Sequence, residues 1–392
     1  MEENAREAAA LAIASFALKL YAELAGADKN KNEYKYKNLV FAPASAFTSL
    51  TMAWFGADGD TDAEIQKTLQ LKDDADQLLA VLEALTSQID AATGCELAEA
   101  NALWAQEGYS MFPQYARVLK ERLRAAAIQV DFKGSTEAAR RAINAWAEEQ
   151  TKGLIRDVIA PGALPEIARL LLTSAVYFKG AWKTKFEKDQ TQIEPFHRLD
   201  KTPVLAPLMR RSIACRIIED ERARVRALAL PYAGYVAEMV ILLPNDIDGL
   251  PHLERELDAD LLRSILNRLR RASPRNVDVL VPKFQIEATY DLSDALQRMG
   301  VTRAFAPELA DFSGITPDPD GLYLSAVIQK ARIDVDEEGT VAAAVTAMPA
   351  PAGAAPGHEP PPFRADHPFL FLLQDTSVNR VLFLGRLLSP SP

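Results

Sequence analysis

The sequence predicts an α+β fold, built as one domain over residues 1–392. Helix-patterned segments fill the first third, short β-rich runs dominate from about residue 170, and two strongly apolar strands close the chain. In the first helix Ile13, Phe16, Leu20 and Leu24 recur at three- and four-residue steps, which makes one apolar stripe. Lys29, Lys31, Lys35 and Lys37 mark a loop after it. Thr61 and Glu64 have the spacing of a capping box ahead of Ile65, Leu69 and Leu71, so a second helix is expected to start at Thr61. Stretches 72–94 and 137–150 also read as helices. Beyond them, 170–178, 239–243, 277–284 and 381–387 are β-rich runs bounded by Gly, Pro and Asp, and read as strands. Helical pieces at 252–270 and 291–299 interrupt them, and no repeat of 20–50 residues is visible.

Residues 347–362 hold prolines, glycines and alanines and almost nothing that packs. The apolar runs after them, 368–375 and 381–388, must pair with strands upstream. The segment is therefore a long exposed loop inside a domain, a kind that is usually functional or disordered.

Composition removes several classes of function. The net charge of −10 disfavours nucleic acid, whose binding needs concentrated positive charge. No uninterrupted run reaches the 18 apolar residues of a membrane span, so no membrane partner is expected. Cys95 and Cys215 form neither a disulfide framework nor a ligand pair and read as free structural thiols. The start, Met1 to Asn4, lacks a basic-then-apolar leader, and no Asn-x-Ser/Thr acceptor occurs. Both favour a cytoplasmic protein and fit equally a secreted one without its leader. Gly-x-Ser-x-Gly, Gly-x-Gly-x-x-Gly and Gly-Lys-Ser/Thr signatures are absent, and His197, His252, His358 and His367 show no metal spacing. An enzyme is disfavoured, and neither cofactor nor metal is expected.

The flank upstream of the loop carries the decisive signal. Glu337, Glu338, Gly339, Thr340, Val341, Ala342, Ala343, Ala344, Val345 and Thr346 alternate small residues between two faces of an extended chain. Thr340, Ala342, Ala344 and Thr346 share one face and could slide between existing strands; Gly339 supplies a pivot without a Cβ. This run resembles the reactive-loop hinge of serpins. Asn144-Ala-Trp146 with Thr151-Lys-Gly153, the 177–182 segment YFKGAW, Pro282-Lys-Phe284, Tyr290-Asp-Leu292, Met299-Gly300, Asp311-Phe-Ser-Gly314, Asp366-His-Pro-Phe369 and Phe383-Leu-Gly-Arg386 are similar to further segments of that family.

The resemblance implies a large mixed or antiparallel central sheet, further sheets and about eight or nine helices, with an exposed reactive loop over 337–363. It implies a suicide inhibitor that a serine or cysteine protease attacks as substrate, whose cleaved hinge then enters the sheet as a strand while the protease stays acylated. The alternative is a non-inhibitory serpin acting as carrier, chaperone or store, which the small hinge residues disfavour. The family's spacing puts the attacked bond about seventeen residues along from Glu337, between Gly353 and Ala354. Small residues there suit elastase-like or subtilisin-like enzymes. Pro349 and Pro351 lie before that bond and each removes one ladder donor, at roughly 0.5–1.5 kcal/mol.

Other positions carry over from the resemblance. Glu337, Lys283 and Trp182 match the breach, where the loop enters the sheet. The shutter under the sheet centre is altered: Ala42 stands for its first serine, Ser45 is kept, Ser174 stands for an asparagine and Gln329 for a histidine. The Gln329 amide is expected to bond strand backbone or Ser45. Arg263, Arg268, Arg270, Arg271 and Arg275 form a candidate glycosaminoglycan or other polyanion site, although cations also gather at helix C-termini for dipole reasons. A monomer is expected.

Overall fold

The stripe read from the sequence is the buried face of α1 (Glu2–Ala25), with Phe16 set edge-on to Phe47 at 5.3 Å. The computed structural model describes residues 2–26, 37–72, 75–87, 89, 94–318, 321–340 and 362–390. By length and composition α1 is apolar enough to cross a membrane, which a search for an uninterrupted apolar run overlooks. Its apolar residues here belong to the core of the protein, packed with α2 (Pro43–Trp54), α3 (Gly59–Leu69), α4 (Ala75–Thr86) and others.

Helix α3 starts earlier than the capping-box spacing suggests. Asp58 caps it by accepting from the Gly59 amide at 2.7 Å. Thr61 and Glu64 are recruited instead to tertiary contacts: Thr61 accepts from the Asp311 amide, and Glu64 from the amides of Thr302 and Arg303. Of the stretch 72–94 only α4 is helical among the described residues. Helices α5 (Pro113–Leu123) and α6 (Phe132–Gln150) follow, and the expected helix at 252–270 is two, α7 (Leu250–Glu256) and α8 (Ala259–Arg271), divided before the N-cap Asp258. Helix α9 (Ser293–Arg298) completes nine among the described residues.

Among the described residues, two sheets enclose the core. The larger runs β1 (Leu39–Phe41), β15 (Arg380–Leu387), β14 (Phe369–Asp375), β8 (Ala237–Pro244), β7 (Val225–Pro231), β6 (Pro203–Asp220), β9 (Arg275–Pro282) and β13 (Pro362–Arg364), with β5 (Gln192–His197) against β6. The two apolar runs at the end of the chain thus find their upstream partners in β1 and β8.

The smaller sheet positions the site. Its order is β10 (Phe284–Asp291), β11 (Leu324–Val335), β4 (Leu170–Ala181), β2 (Cys95–Gln106) and β3 (Ala126–Val130). In its middle β11 and β4 are parallel, paired from Leu324–Leu170 to Arg332–Tyr177 with one irregularity between Leu324 and Ala326, while each is antiparallel to its outer neighbour. On one face lie Val176, Phe178, Trp182 and Tyr232; on the other, Ala175, Tyr177 and Ile328 share a core with Phe132, Ile143 and Ala147 of α6.

Candidate functional site

Above Arg332 and Tyr177 the central pair parts. β11 continues to Val335, and the chain then reverses through a turn over 336–339. The Asp336 amide donates to the Gly339 carbonyl at 2.8 Å, and the Asp336 side chain accepts from the amides of Glu338 and Gly339. Thr340 then runs back antiparallel to β4 as β12 (Gly339–Thr340), paired Gly339 with Ala181 and Thr340 with Gly180. Gly339 has φ +143°, and a Cβ built on it would collide with the Gly180 carbonyl oxygen, so this reversal admits only glycine.

The residues expected at the breach meet around that turn. Lys283 Nζ lies 2.8 Å from Glu337 Oε2, and Thr191 donates its hydroxyl to Glu337 Oε1 at 2.8 Å. Burial works to raise the Glu337 pKa, but the bonds from Lys283 and Thr191 outweigh it and hold the carboxyl below its usual range. Glu338 is also lowered, chiefly by Lys185 at 2.7 Å. The Trp182 indole N–H donates to the Asp336 carbonyl at 2.8 Å, and the backbone amides of Trp182 and Phe186 donate to Glu338 and Glu337. The ring of Trp182 stacks on Tyr232 at 4.4 Å and 15°, and Phe178 meets Tyr232 edge-on at 5.0 Å. The Tyr232 hydroxyl lies 2.7 Å from Thr340 Oγ1, and both residues are fully buried.

The four shutter positions also come together, lower on the same seam. Gln329 and Ser174 are partners across the parallel pair. Gln329 Oε1 accepts from the Ala42 amide at 2.8 Å, and its Nε2 donates to the Ala42 carbonyl at 2.9 Å and to Ser174 Oγ at 3.3 Å. Ser174 donates to Ser45, and Ser45 to Asn101 Oδ1 at 2.6 Å. The amide thus bonds strand-end backbone, and it reaches Ser45 only through Ser174. Asn101 was not singled out from the sequence, nor were Thr191, Tyr232 and Asp336.

The five arginines are not one free positive face. Arg263 pairs with Asp260, Arg268 with Asp220 and the Glu219 carbonyl, and Arg270 touches Asn267 on its own helix. Arg271 and Arg275 are exposed and have no ion pair among the described residues. Cys95 and Cys215 are buried and free of disulfides, the Cys95 thiol donates to the Ala233 carbonyl at 3.5 Å, and burial pushes both thiols up to about 12. Val341 to Thr346, Gly353 and Ala354 lie outside the described residues.

A sheet whose central pair is parallel, with the following segment turned back into its upper end, defines the class. A family model described as Serpin (serine protease inhibitor) matches residues 11–390, and the chain belongs to the serpin family. A serpin-like protein of Thermococcus kodakarensis is 37% identical over 393 residues, covering 100% of this chain and 88% of that protein. The leukocyte elastase inhibitor of Bos taurus is 36% identical, over 90% of this chain and 93% of its own. Among solved structures, Serpin48 of the insect Tenebrio molitor superposes with a TM-score of 0.85 at 31% identity, covering 98% and 99% of the two chains.

Proposed function

We propose that this protein is an inhibitory serpin that traps an elastase-like or subtilisin-like serine protease by completing its own sheet. The observation that carries this reading is the parallel β4–β11 pair with Gly339 and Thr340 already turned in above it. A strand continuing from Thr340 runs antiparallel to both neighbours. It replaces one parallel ladder by two antiparallel ones, which are the stronger kind per residue. Each added ladder bond contributes about 1 kcal/mol net.

The register supports the hinge residues in this role. Continuing from Thr340 opposite Gly180 sets Val341 opposite Lys179, Ala342 opposite Phe178 and Ala343 opposite Tyr177. Val341 and Ala342 would occupy the stretch where the strands have already parted. Ala343 is the first residue that must break the seam, at Tyr177 and Arg332. Thr340 faces Tyr232 and the core, so Ala342, Ala344 and Thr346 would follow on that face, past Phe178 and Val176. Small side chains pass there without displacing the core.

The protease supplies the nucleophile. It attacks the carbonyl of Gly353, Ala354 leaves as the new amino terminus, and the acyl-enzyme is carried off before water can resolve it. The test is incubation with a panel of small-pocket serine proteases. The expected result is an SDS-stable adduct with a released C-terminal peptide starting within two residues of Ala354. Cleavage throughout the panel with no adduct would overturn the reading.

A further inference from the structure

Tyr232 is a fully buried phenol outside the hinge and its turn, held in place by its surroundings. It follows β7 and bridges to Trp182, whose ring stacks on it, and Phe178 closes its other side. Burial raises its pKa strongly, with the bond from Thr340 opposing, so the hydroxyl stays protonated and needs a partner. Among the described residues that partner is Thr340 Oγ1, at 2.7 Å. The relation is reciprocal, because the Thr340 hydroxyl is itself fully buried.

We propose that Tyr232 is a positioning residue for loop insertion. Its hydroxyl holds Thr340 inside the sheet of the uncleaved protein, so that insertion begins from a strand already started. This rests on the insertion reading given above. Withdrawing Thr340 takes its hydroxyl to water but leaves the buried Tyr232 hydroxyl without that partner, an unfavourable exchange that opposes the movement. The resting hinge is therefore biased inward, and after cleavage the next residue to move is Val341 rather than Glu337. That head start matters because insertion competes with hydrolysis of the acyl-enzyme.

The experiment compares wild type with Tyr232→Phe, Thr340→Val and Thr340→Ser, reading backbone hydrogen exchange in the uncleaved protein and the moles of inhibitor consumed per protease trapped. Tyr232→Phe keeps the stacked ring and removes only the hydroxyl. Exchange at the amides of Trp182 and Phe186, which bond the hinge turn, should quicken by about tenfold, as 1.4 kcal/mol implies. Exchange in β14 should not change. The stoichiometry should rise in Tyr232→Phe and Thr340→Val and stay near wild type in Thr340→Ser. Unchanged exchange at Trp182 and Phe186 overturns the proposal, and so does faster exchange with unchanged stoichiometry. A wild-type protein that traps no protease, with the exchange difference intact, overturns the inhibitor reading while leaving the latch in place.

Discussion

Gln329 pairs with Ala42 as one peptide group pairs with another, its oxygen accepting from the Ala42 amide and its nitrogen donating to the Ala42 carbonyl. Ala42 is the N-cap of α2 and has no side chain with which to cap it. The glutamine on β11 accepts from the N-cap amide, the bond that a Glu or Gln at the third helical position makes in a capping box. One longer bond, 3.3 Å from Gln329 to Ser174, crosses the seam that the proposed insertion would open.

Gln329→Ala orphans the Ala42 amide in a buried site, and the uncleaved protein should lose about 1–3 kcal/mol. Gln329→Glu separates the two halves of the contact. A buried carboxylate facing the Ala42 carbonyl has its pKa raised, so its contribution is present in acid and lost as pH rises through that value. Melting temperatures should converge with wild type in acid and fall below it at neutral pH. A variant equally stable at both would refute the pairing.

The Glu337–Lys283–Thr191 contact gives a second, opposite pH dependence. Glu337 is lowered in the folded protein, so its stabilisation is present above the unfolded value, about 4.3, and lost as pH falls through the folded one. The melting temperature should drop as the solution is acidified below about pH 4.5. Glu337→Gln should flatten that limb without shifting the neutral plateau upward. Parallel acid limbs in the two proteins would remove Glu337 from the account.

At Gly339 the backbone is in a region reserved for glycine, and the Gly180 carbonyl fills the space where a side chain would go. Gly339→Ala should cost about 1–3 kcal/mol from conformation alone and expel Thr340 from β12. Limited proteolysis near the turn would register this as faster cutting than in wild type.

Thr340→Arg sets a charge in a fully buried site beside the Tyr232 ring. Cleavage of the loop should then raise the melting temperature of wild type by a large increment and that of the variant by little. Equal increments would mean that the cleaved strand does not enter the sheet past Tyr232.

Much of this was legible in the sequence, and the failures are instructive. The stripe of α1 and the β-rich runs of β4, β8, β9 and β15 announce themselves through period and composition. Strand β2 does not: its alanines and glutamates have little strand propensity, and its place between β3 and β4 makes it extended. Helix α2 is buried on every side and shows no polar face to set a period. Glu337, Lys283 and Trp182 were readable from motifs along the chain. Thr191, Tyr232 and Asn101 were not, because a buried hydroxyl or amide becomes meaningful only once a partner from a distant part of the chain is brought to it.

The parallel seam also sets a problem of timing during synthesis. Gln329 and Ser174 meet across 155 positions, whereas the hinge could fold back on β11 after a turn of a few residues, and short loops close first. A ribosome releases β11 and the hinge before β14 and β15, which lie inside the larger sheet, and before β13, which docks on β9. On the insertion reading, until those last strands are seated the hinge is free to complete the smaller sheet before the larger one is finished. On that reading the final thirty or so residues would act as a referee between two folds of one chain. Slowing their arrival, by a translational pause or by weakening β14 against β8, should divert newly made protein into a spent form that has never met a protease.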